Sequence, residues 1–295
     1  TAPYTYNITD DLTLYAKYEE IDYNVSFDNQ GGINGAKGVN AEYNAEMPAL
    51  PLDKVPVKTG YTFAGYYSLP NGAGVKYYNA DLTSANVWDK TEPQTIYAFW
   101  IPNEYTVRLQ TRYPGENGKM FTSVSASDIK YISYKAVANE KITIWTTHTT
   151  GDPYLYLYDA NLTVLASNDD GNGNRDAKIE YMVIAGANYV IGFRSYSSTA
   201  TSGNVYLYRD ISATYGAAMP HAAKPEQSGY VFQGYFSEEN GGGVRYYTSD
   251  MASANIWNIA AGTPTIIYSH WTPEIYSVTL DMQGGSVTGM PETFY

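Results

Sequence analysis

The chain has no cysteine and no long apolar segment. Without cysteine there is no disulfide framework and no thiolate zinc site. The absence fits a cytosolic protein or a secreted protein of a bacterium that avoids cysteine, and the repeats described below favour the second. No stretch approaches the roughly 18 apolar residues of a membrane-spanning helix, so we expect no membrane insertion.

Cations are scarce as well. The 18 Lys and Arg residues are outnumbered by 30 Asp and Glu residues, which gives a net charge of −12. Nucleic acids and anionic membrane surfaces bind clustered cations, so neither is an expected partner. The acidity is typical of a soluble surface, and cation binding is the alternative.

Motifs for catalysis are missing too. The three histidines, His148, His221 and His270, are isolated from one another, and neither a GxSxG nucleophile elbow nor a phosphate-binding loop occurs. In the repeat described below, His270 takes the place of Phe99, which predicts a packed or half-exposed aromatic position. We therefore expect that the protein is not an enzyme.

Tyrosine and glycine dominate what is present. The chain has 32 Tyr but 8 Phe, together with 26 Gly and 14 Pro. Tyrosine suits a half-buried pleated surface, where the ring packs and the hydroxyl stays wet. This composition predicts a mainly β protein with many turns.

The sequence also repeats itself in ordered blocks. The block GYTFAGYY at residues 60–67 returns as GYVFQGYF at 229–236, and residues 71–78 and 84–88 return at 240–247 and 253–257. The alternating strand 23–27, which precedes a Gly-rich turn, returns at 105–109 and at 276–280. Such duplication is typical of an array built for reach or display.

The spacing between blocks predicts an insertion. Val25 lies 18 positions before Tyr43, whereas its counterpart Val107 lies 108 positions before Tyr215. The additional 90 positions fall at an exposed turn, where guest domains are tolerated. The predicted domains are the tail of a preceding repeat (1–20), a first repeat (21–102), a split second repeat (103–111 and 209–273), an insert (112–208) and the start of a following repeat (274–295).

The insert has its own short alternating segments. Residues 141–146, 154–158, 178–183, 189–194 and 204–208 predict strands at a spacing typical of a β-sandwich. Helical signal is weak throughout the chain. The best candidates are single turns at residues 82–88 and 251–257, each preceded by an Asp that could cap it.

The repeated unit resembles the Listeria–Bacteroides repeat, the B-repeat type of module in internalin-like surface proteins. The resemblance rests on the YxVxF…GG opening, the YxxxMP middle, the GYxFxGYY core and the TxYAxW close. It implies a small β-grasp-like unit that is strung in tandem on secreted or wall-anchored bacterial proteins. Tyr66 and Tyr235 stand where that family usually has Trp, an aromatic exchange that leaves the expected fold unchanged.

The insert resembles bacterial pre-peptidase C-terminal domains. Residues 152–159, 165–170 and 185–190 carry this resemblance. It implies a jelly-roll-like sandwich that serves as an accessory module and is not itself catalytic.

One loop of the insert is a candidate calcium site. Residues 168–176 combine oxygen-bearing side chains with glycines, which suits the six to eight hard oxygen ligands of Ca²⁺. The loop lacks the Glu of an EF-hand, and Arg175 adds a repulsive charge. The alternative is a solvated turn whose side chains bond the backbone. The candidate ligands are Asp152, Asp159, Asn168, Asp169, Asp170, Asn172, Asn174 and Asp176.

Paired tyrosines are candidate platforms for sugar rings. In the pairs 66–67 and 77–78, neighbouring side chains point to opposite faces of a strand, so one ring of each pair is expected to face outward. The alternative is ordinary strand packing. The candidates for glycan stacking are Tyr66, Tyr77, Tyr235 and Tyr246.

These patterns favour a non-enzymatic structural or adhesive module, extracellular or on a bacterial surface. The alternative is a carbohydrate-binding accessory region of a secreted hydrolase. The expected partners are neighbouring repeats, copies of the same protein, or a glycan or protein of a host or cell wall. The chain starts abruptly at Thr1 without a signal peptide, which indicates a mature fragment of a longer array, with head-to-tail assembly into a filament as the alternative.

Overall fold

The computed structural model describes residues 11, 13–19, 21–115, 121–261, 264–277 and 283. These residues fall into two compact units, which are divided between Asn103 and Glu104. The strands of the first unit are β1 (Asp22–Asp28), β2 (Gly38–Glu42), β3 (Tyr61–Tyr67), β4 (Lys76–Tyr78) and β5 (Gln94–Pro102). The strands of the second unit are β6 (Glu104–Tyr113), β7 (Phe121–Ser123), β8 (Lys130–Lys135), β9 (Glu140–Thr150), β10 (Pro153–Asp159), β11 (Val164–Asn168), β12 (Lys178–Val183), β13 (Asn188–Ser195), β14 (Thr201–Thr214), β15 (Tyr230–Phe236), β16 (Arg245–Tyr247) and β17 (Thr265–Pro273). Short 3₁₀ turns lie at Leu52–Lys54, Pro70–Gly72 and Glu239–Gly241. The expectation of a mainly β protein is confirmed.

The first unit is one mixed sheet with the order β2-β1-β5-β3-β4. Its first and last strands, β1 and β5, pair in parallel from Val25↔Gln94 to Asp28↔Tyr97, and the other pairs are antiparallel. The alternation in residues 23–27 buries Val25 and Phe27 on one face and leaves Asn24 and Ser26 exposed.

Aromatic rings fill the core of the first unit. Trp88 is fully buried, with its ring centroid 4.9 Å from that of Tyr77, and Phe63 meets Tyr66 edge to face at 5.0 Å. The buried hydroxyls find partners inside the protein, as the bond from Tyr78 to the Pro48 carbonyl shows at 2.8 Å. The second unit repeats this packing, with Trp257 5.0 Å from Tyr246 and Phe232 5.3 Å from Tyr235.

A bulge in β3 explains why glycine stands at position 65. The pairing with β5 shifts between Phe63 and Gly65, and Gly65 has a φ of 126°. A Cβ there would lie 2.2 Å from the carbonyl oxygen of Tyr78. Gly234 has the same geometry, with a φ of 128°, so side chains are excluded at both positions.

The single helical turns predicted near residues 82–88 and 251–257 are absent from the described chain, which forms non-helical turns there. Leu82 and Met251 have φ values of 64° and 66°, in the left-handed region where a right-handed helix cannot begin. The preceding Asp81 does accept a bond from the Thr83 amide, so this side chain caps a turn and not a helix.

The second unit contains a sheet with the same strand order, which we call the grasp framework. The order is β2-β1-β5-β3-β4 in the first unit and β14-β6-β17-β15-β16 in the second. The strands of the whole sheet in the second unit follow the order β12-β9-β14-β6-β17-β15-β16, and β7 also pairs with β14. Within it, β6 and β17 pair in parallel from Val107↔Thr265 to Gln110↔Tyr268. This register matches that of β1 and β5 residue for residue.

A sandwich is built onto this framework. The sheet β11-β10-β13-β8 faces the β12, β9, β14 and β6 part of the large sheet. Their inward residues, among them Ile144, Leu157, Phe193 and Leu207, form one apolar core. Trp271 packs against this core and also against the core of the second grasp framework.

Strands β6 and β14 run without interruption through both parts of the second unit. They pair over ten residues, from Tyr113↔Val205 to Glu104↔Thr214. The predicted insert boundaries at residues 112 and 208 therefore lie inside continuous strands. The independence of the insert stays a prediction.

The predicted partial repeats at the ends lie mostly outside the described residues. Residues 13–19, which resemble the closing strand in sequence, form no strand in the structure, and Tyr15 and Tyr18 are 88% and 90% exposed. In the strand predicted at 276–280, residues 278–280 are not described. Among the described residues there is no helix with the length and apolar character needed to cross a membrane.

Candidate functional site

The four tyrosines predicted to stack on glycans are buried in the two grasp cores. Tyr66, Tyr77 and Tyr235 are 0% exposed, and Tyr246 is 1% exposed. A buried ring cannot present a face to a sugar, so this prediction is wrong. The bulge at Gly65 explains why Tyr66 is buried. It interrupts the alternation of β3 and turns the side chains of Phe63 and Tyr66 to the same face of the sheet.

A stack of tyrosines lies on the outer face of the sandwich, where Tyr154 and Tyr156 are half-buried and Tyr158 is buried. The rings of Tyr154, Tyr156 and Tyr158 follow one another along β10, with centroids 4.8 Å and 5.3 Å apart. The guanidinium of Arg194 lies 4.3 Å from the Tyr154 ring and donates to the Tyr156 hydroxyl at 2.9 Å. The ring faces are therefore covered by each other and by Arg194, which suits a stabilising ladder better than a sugar platform.

The predicted calcium loop is held by bonds of its own. Asn168 Oδ1 accepts from the amides of Gly171 and Lys178 at 2.6 Å and 2.9 Å. Asp176 Oδ1 lies 2.9 Å from His148 Nδ1. Asp159 stands apart in the β10–β11 turn, where its Oδ1 accepts from the amides of residues 161 and 163. These hydrogen bonds are the ones expected if the loop is a solvated turn and not a calcium site.

Asp152 is the exception in this group. Its Oδ1 is buried and has no hydrogen-bond partner among the described residues. Burial raises the pKa of Asp152, and the negative charges of Asp170 and Asp169 raise it further. A cation would relieve this repulsion, yet within the described residues no group of three or more His, Asp or Glu could hold a metal. Calcium binding, including a role for Asn172 and Asn174, stays a prediction.

A polar junction joins the sandwich to the second grasp framework. Arg209 is 2% exposed and donates from Nη2 to the Ala223 carbonyl at 2.8 Å and to the Tyr235 hydroxyl at 3.2 Å. Burial acts to lower the pKa of Arg209, but the neighbouring Tyr235 and Tyr134 outweigh it and the net shift is upward. The side chain stays charged, and the buried hydroxyl of Thr111 pairs with Tyr235 beside it. No motif in the sequence predicts this junction.

A cavity of about 300 Å³ lies in the second unit beside the last residues of β6 and β17. Tyr230, Tyr268 and Trp271 form aromatic walls, and Arg112, His270 and Glu239 add polar groups. His270 is half-buried and lies edge to face with Phe236 at 5.9 Å, which confirms the prediction of an aromatic packing position. A second cavity of about 520 Å³ shares Tyr230 and Trp271.

The duplicated grasp framework has a counterpart among known families. Residues 23–98 and 189–257 match the Listeria-Bacteroides repeat domain. The first match covers the sheet of the first unit from β1 into β5. The resemblance stated for the repeats is thereby confirmed, whereas the one to pre-peptidase C-terminal domains has no such match and stays a prediction.

The second match begins inside the sandwich. Residues 189–193 have the alternation of the Listeria-Bacteroides opening strand, YxVxF, in the form YVIGF. In the structure this segment belongs to β13, which pairs with β10 and β8. The place of the opening strand, parallel to the closing strand, is taken by β6. The predicted insertion would place residues 112–208 between this opening strand and the rest of its repeat.

Two relatives come from Evansella cellulosilytica. One, whose name calls it a Gly-rich membrane protein, is 24% identical over 96% of this chain and 29% of its own length. The other, named as a membrane protein, is 25% identical over 92% of this chain and 35% of its own length. The chain thus spans about a third of these relatives. A solved structure, the Yersinia pseudotuberculosis-derived mitogen, aligns over 38% of this chain and 87% of its own, with 18% identity and a TM-score of 0.23, which supports no conclusion about the fold.

Proposed function

We propose that the protein is a non-enzymatic, load-bearing and adhesive module of a bacterial surface or secreted protein. The match to the Listeria-Bacteroides repeat supports a surface or extracellular repeat module. The names of the two relatives are consistent with a location at the cell envelope. Two self-contained aromatic cores in one chain suit a spacer better than an active site.

The observation that carries the load-bearing role is the parallel pairing of the first and last strands of each grasp framework. Tension along the chain pulls β1 from its start and β5 from its end. Because the two strands are parallel, these forces are antiparallel to each other and shear the strands lengthwise. All the hydrogen bonds from Val25↔Gln94 to Asp28↔Tyr97 must then yield together, whereas a peeled pair loses them one at a time.

The same geometry keeps the insert out of the path of force. In the second unit the load enters at β6 and leaves at β17, which pair in parallel ahead of the sandwich. The remaining sandwich strands follow β6 in the chain and precede β17, so they carry no tension while this pairing holds. The module can therefore display a folded domain sideways from a stretched stalk.

Single-molecule stretching of the full chain tests the proposal. Release of the 73 residues from Val25 to Tyr97 lengthens the chain by about 26 nm, at ~3.6 Å per residue. Release of the 162 residues from Val107 to Tyr268 adds about 58 nm, in one step or divided if the sandwich unfolds separately. Extension without either rupture would contradict the load-bearing role.

A proline variant tests the clamp itself. The Phe27 amide donates to Lys37 on the β2 side, so the neighbouring Ser26 amide faces β5. Ser26→Pro removes one clamp bond at an exposed position and should lower the rupture force of the first unit. The matched control is Asn40→Pro on edge strand β2, where the amide points away from β1 and the clamp stays intact.

Head-to-tail assembly remains part of the proposal for the longer protein. A strand with an unpaired edge is a template for pairing, and the predicted strand 276–280 is such a segment by its sequence. Sedimentation of the 295-residue chain tests this, and a monomer at high concentration would rule out the filament.

The second candidate function is carbohydrate binding. It is favoured by the cavity of about 300 Å³ beside Trp271.

A further inference from the structure

We propose that the cavity beside Trp271 binds the end of a neutral saccharide. This inference rests on the adhesive part of the proposed function and gives it a site and a ligand class. The cavity is at the lower end of the size range of ligand sites, so it suits a single sugar ring and not a long chain. It also lies at a junction between two structural parts, where ligand sites are common.

The two grasp frameworks provide an internal comparison for this site. The aromatic walls are shared, since Tyr230, Tyr268 and Trp271 correspond to tyrosines 61 and 97 and to tryptophan 100 of the first unit. The polar groups are not shared. Arg112, Ser269 and His270 occupy the places of Gln30, Ala98 and Phe99. His270 lies in β17 at the position where β5 of the first unit has Phe99, so this polar exchange is not required by the fold. Arg112 lies in strand β6, whereas Gln30 lies in a turn.

The tryptophan is also covered in one unit and open in the other. In the first unit, the turn after β1 packs on Trp100, whose Nε1 donates to the Asn29 carbonyl at 3.0 Å. A Cβ on Gly32 would lie 2.4 Å from this ring, and the Lys58 ammonium lies 5.8 Å from its centroid. In the second unit, β6 continues into the sandwich and forms no such turn. Trp271 is therefore only half-buried, and its Nε1 donates to Ser269 at 3.1 Å.

The charges around the cavity favour an uncharged ligand with hydroxyl groups. Arg112 can only donate hydrogen bonds, and the exposed Glu239 can only accept them when ionised. A sugar hydroxyl does both, so one ring satisfies both side chains while its apolar face lies on an aromatic wall. A carboxylate ligand would meet Arg112 favourably but would be repelled by Glu239. Arg112 is held in place by bonds from Nε and Nη2 to Asn204 Oδ1 at 3.2 Å and 2.9 Å, which leaves Nη1 for a ligand.

An array of immobilised neutral and acidic saccharides, probed with the full 295-residue chain, tests the proposal. The expected result is binding to one or more neutral saccharides and a change in tryptophan fluorescence when the same saccharide is titrated in solution. Binding only to acidic saccharides, or to none on the array, would overturn the proposal. Neither outcome affects the rupture measurements, so failure here is distinguishable from failure of the load-bearing role.

Variants that restore the residues of the first unit locate the site. His270→Phe and Arg112→Gln should each weaken saccharide binding about tenfold, the effect of one lost hydrogen bond of the stronger kind. Phe occupies the place of His270 in the corresponding strand of the first unit, and Arg112 is exposed, so thermal unfolding should change little in either variant. The reciprocal Phe99→His is the control and should leave binding intact. Unchanged binding in both test variants would place the saccharide elsewhere and overturn the assignment.

Discussion

The core of the first unit makes a quantitative prediction at Phe63. The side chain is 6% exposed and lies edge to face with Tyr66 at 5.0 Å and tilted against Trp100 at 5.5 Å. Truncation of a buried Phe to Ala costs about 3–5 kcal/mol. Because two aromatic contacts are lost as well, we expect a loss of about 4 kcal/mol or more for Phe63→Ala. A domain of this size has a total stability of roughly 4–12 kcal/mol, so the unit should remain folded only narrowly or not at all.

Urea unfolding followed by tryptophan fluorescence measures this loss. With a slope of about 1.5 kcal/mol per molar urea, a loss of about 4 kcal/mol lowers the midpoint by roughly 2–3 M. The matched variant Phe232→Ala should shift the transition of the second unit instead, since Phe232 is 2% exposed in the corresponding core. A loss under about 1 kcal/mol in Phe63→Ala would refute the packing argument and would show that this ring faces solvent.

Three further outcomes are expected. The hydrogen bond from Tyr77 holds the pKa of the Asp89 carboxyl below its ordinary value of 3.8, so the stability it adds is present above pH 3.8 and is lost as the pH falls below that value. Asp89→Asn, which copies the second unit, should remove this acid dependence in a pH series of melting curves. If calcium binds the insert, chelation should lower the melting temperature of the insert, and the double variant Asp169→Ala with Asp170→Ala should abolish this effect. A melting curve that chelation does not change would show that the loop is a solvated turn. Replacement of residues 112–208 by a short Gly linker should leave a folded repeat with dispersed amide resonances, and a molten product would contradict the insertion.

Much of the grasp framework could be predicted from alternation and repetition. The strand 23–27 and its counterpart at 105–109 were recognisable because one face of each is buried and the other is not. The spacing between Val107 and Tyr215 indicated the insertion, and the structure has the sandwich strands in that interval. Strand β8 was missed although Ile132 and Tyr134 alternate with exposed residues, so a signal for it was present.

The errors arose where backbone geometry interrupts a simple period. The bulge at Gly65 reverses the alternation after it, so Tyr66 is buried although the pattern allowed it to face outward. The left-handed conformation of Leu82 stops a helix that its neighbours would permit. The cavity beside Trp271 could not be predicted from the sequence for another reason. Arg112 and His270 are separated by most of the second unit and meet only because β6 pairs with β17.

The most direct test of the account compares two directions of pulling on the first unit. The chain has no cysteine, so cysteines introduced at two exposed positions are unique attachment points. With handles at Asp22 and Pro102, the force shears β1 along β5. With handles at Asp22 and Pro93, it peels the same two strands apart from one end. The load-bearing account predicts a clearly higher rupture force for the first pair of handles, and equal forces in the two directions would contradict it.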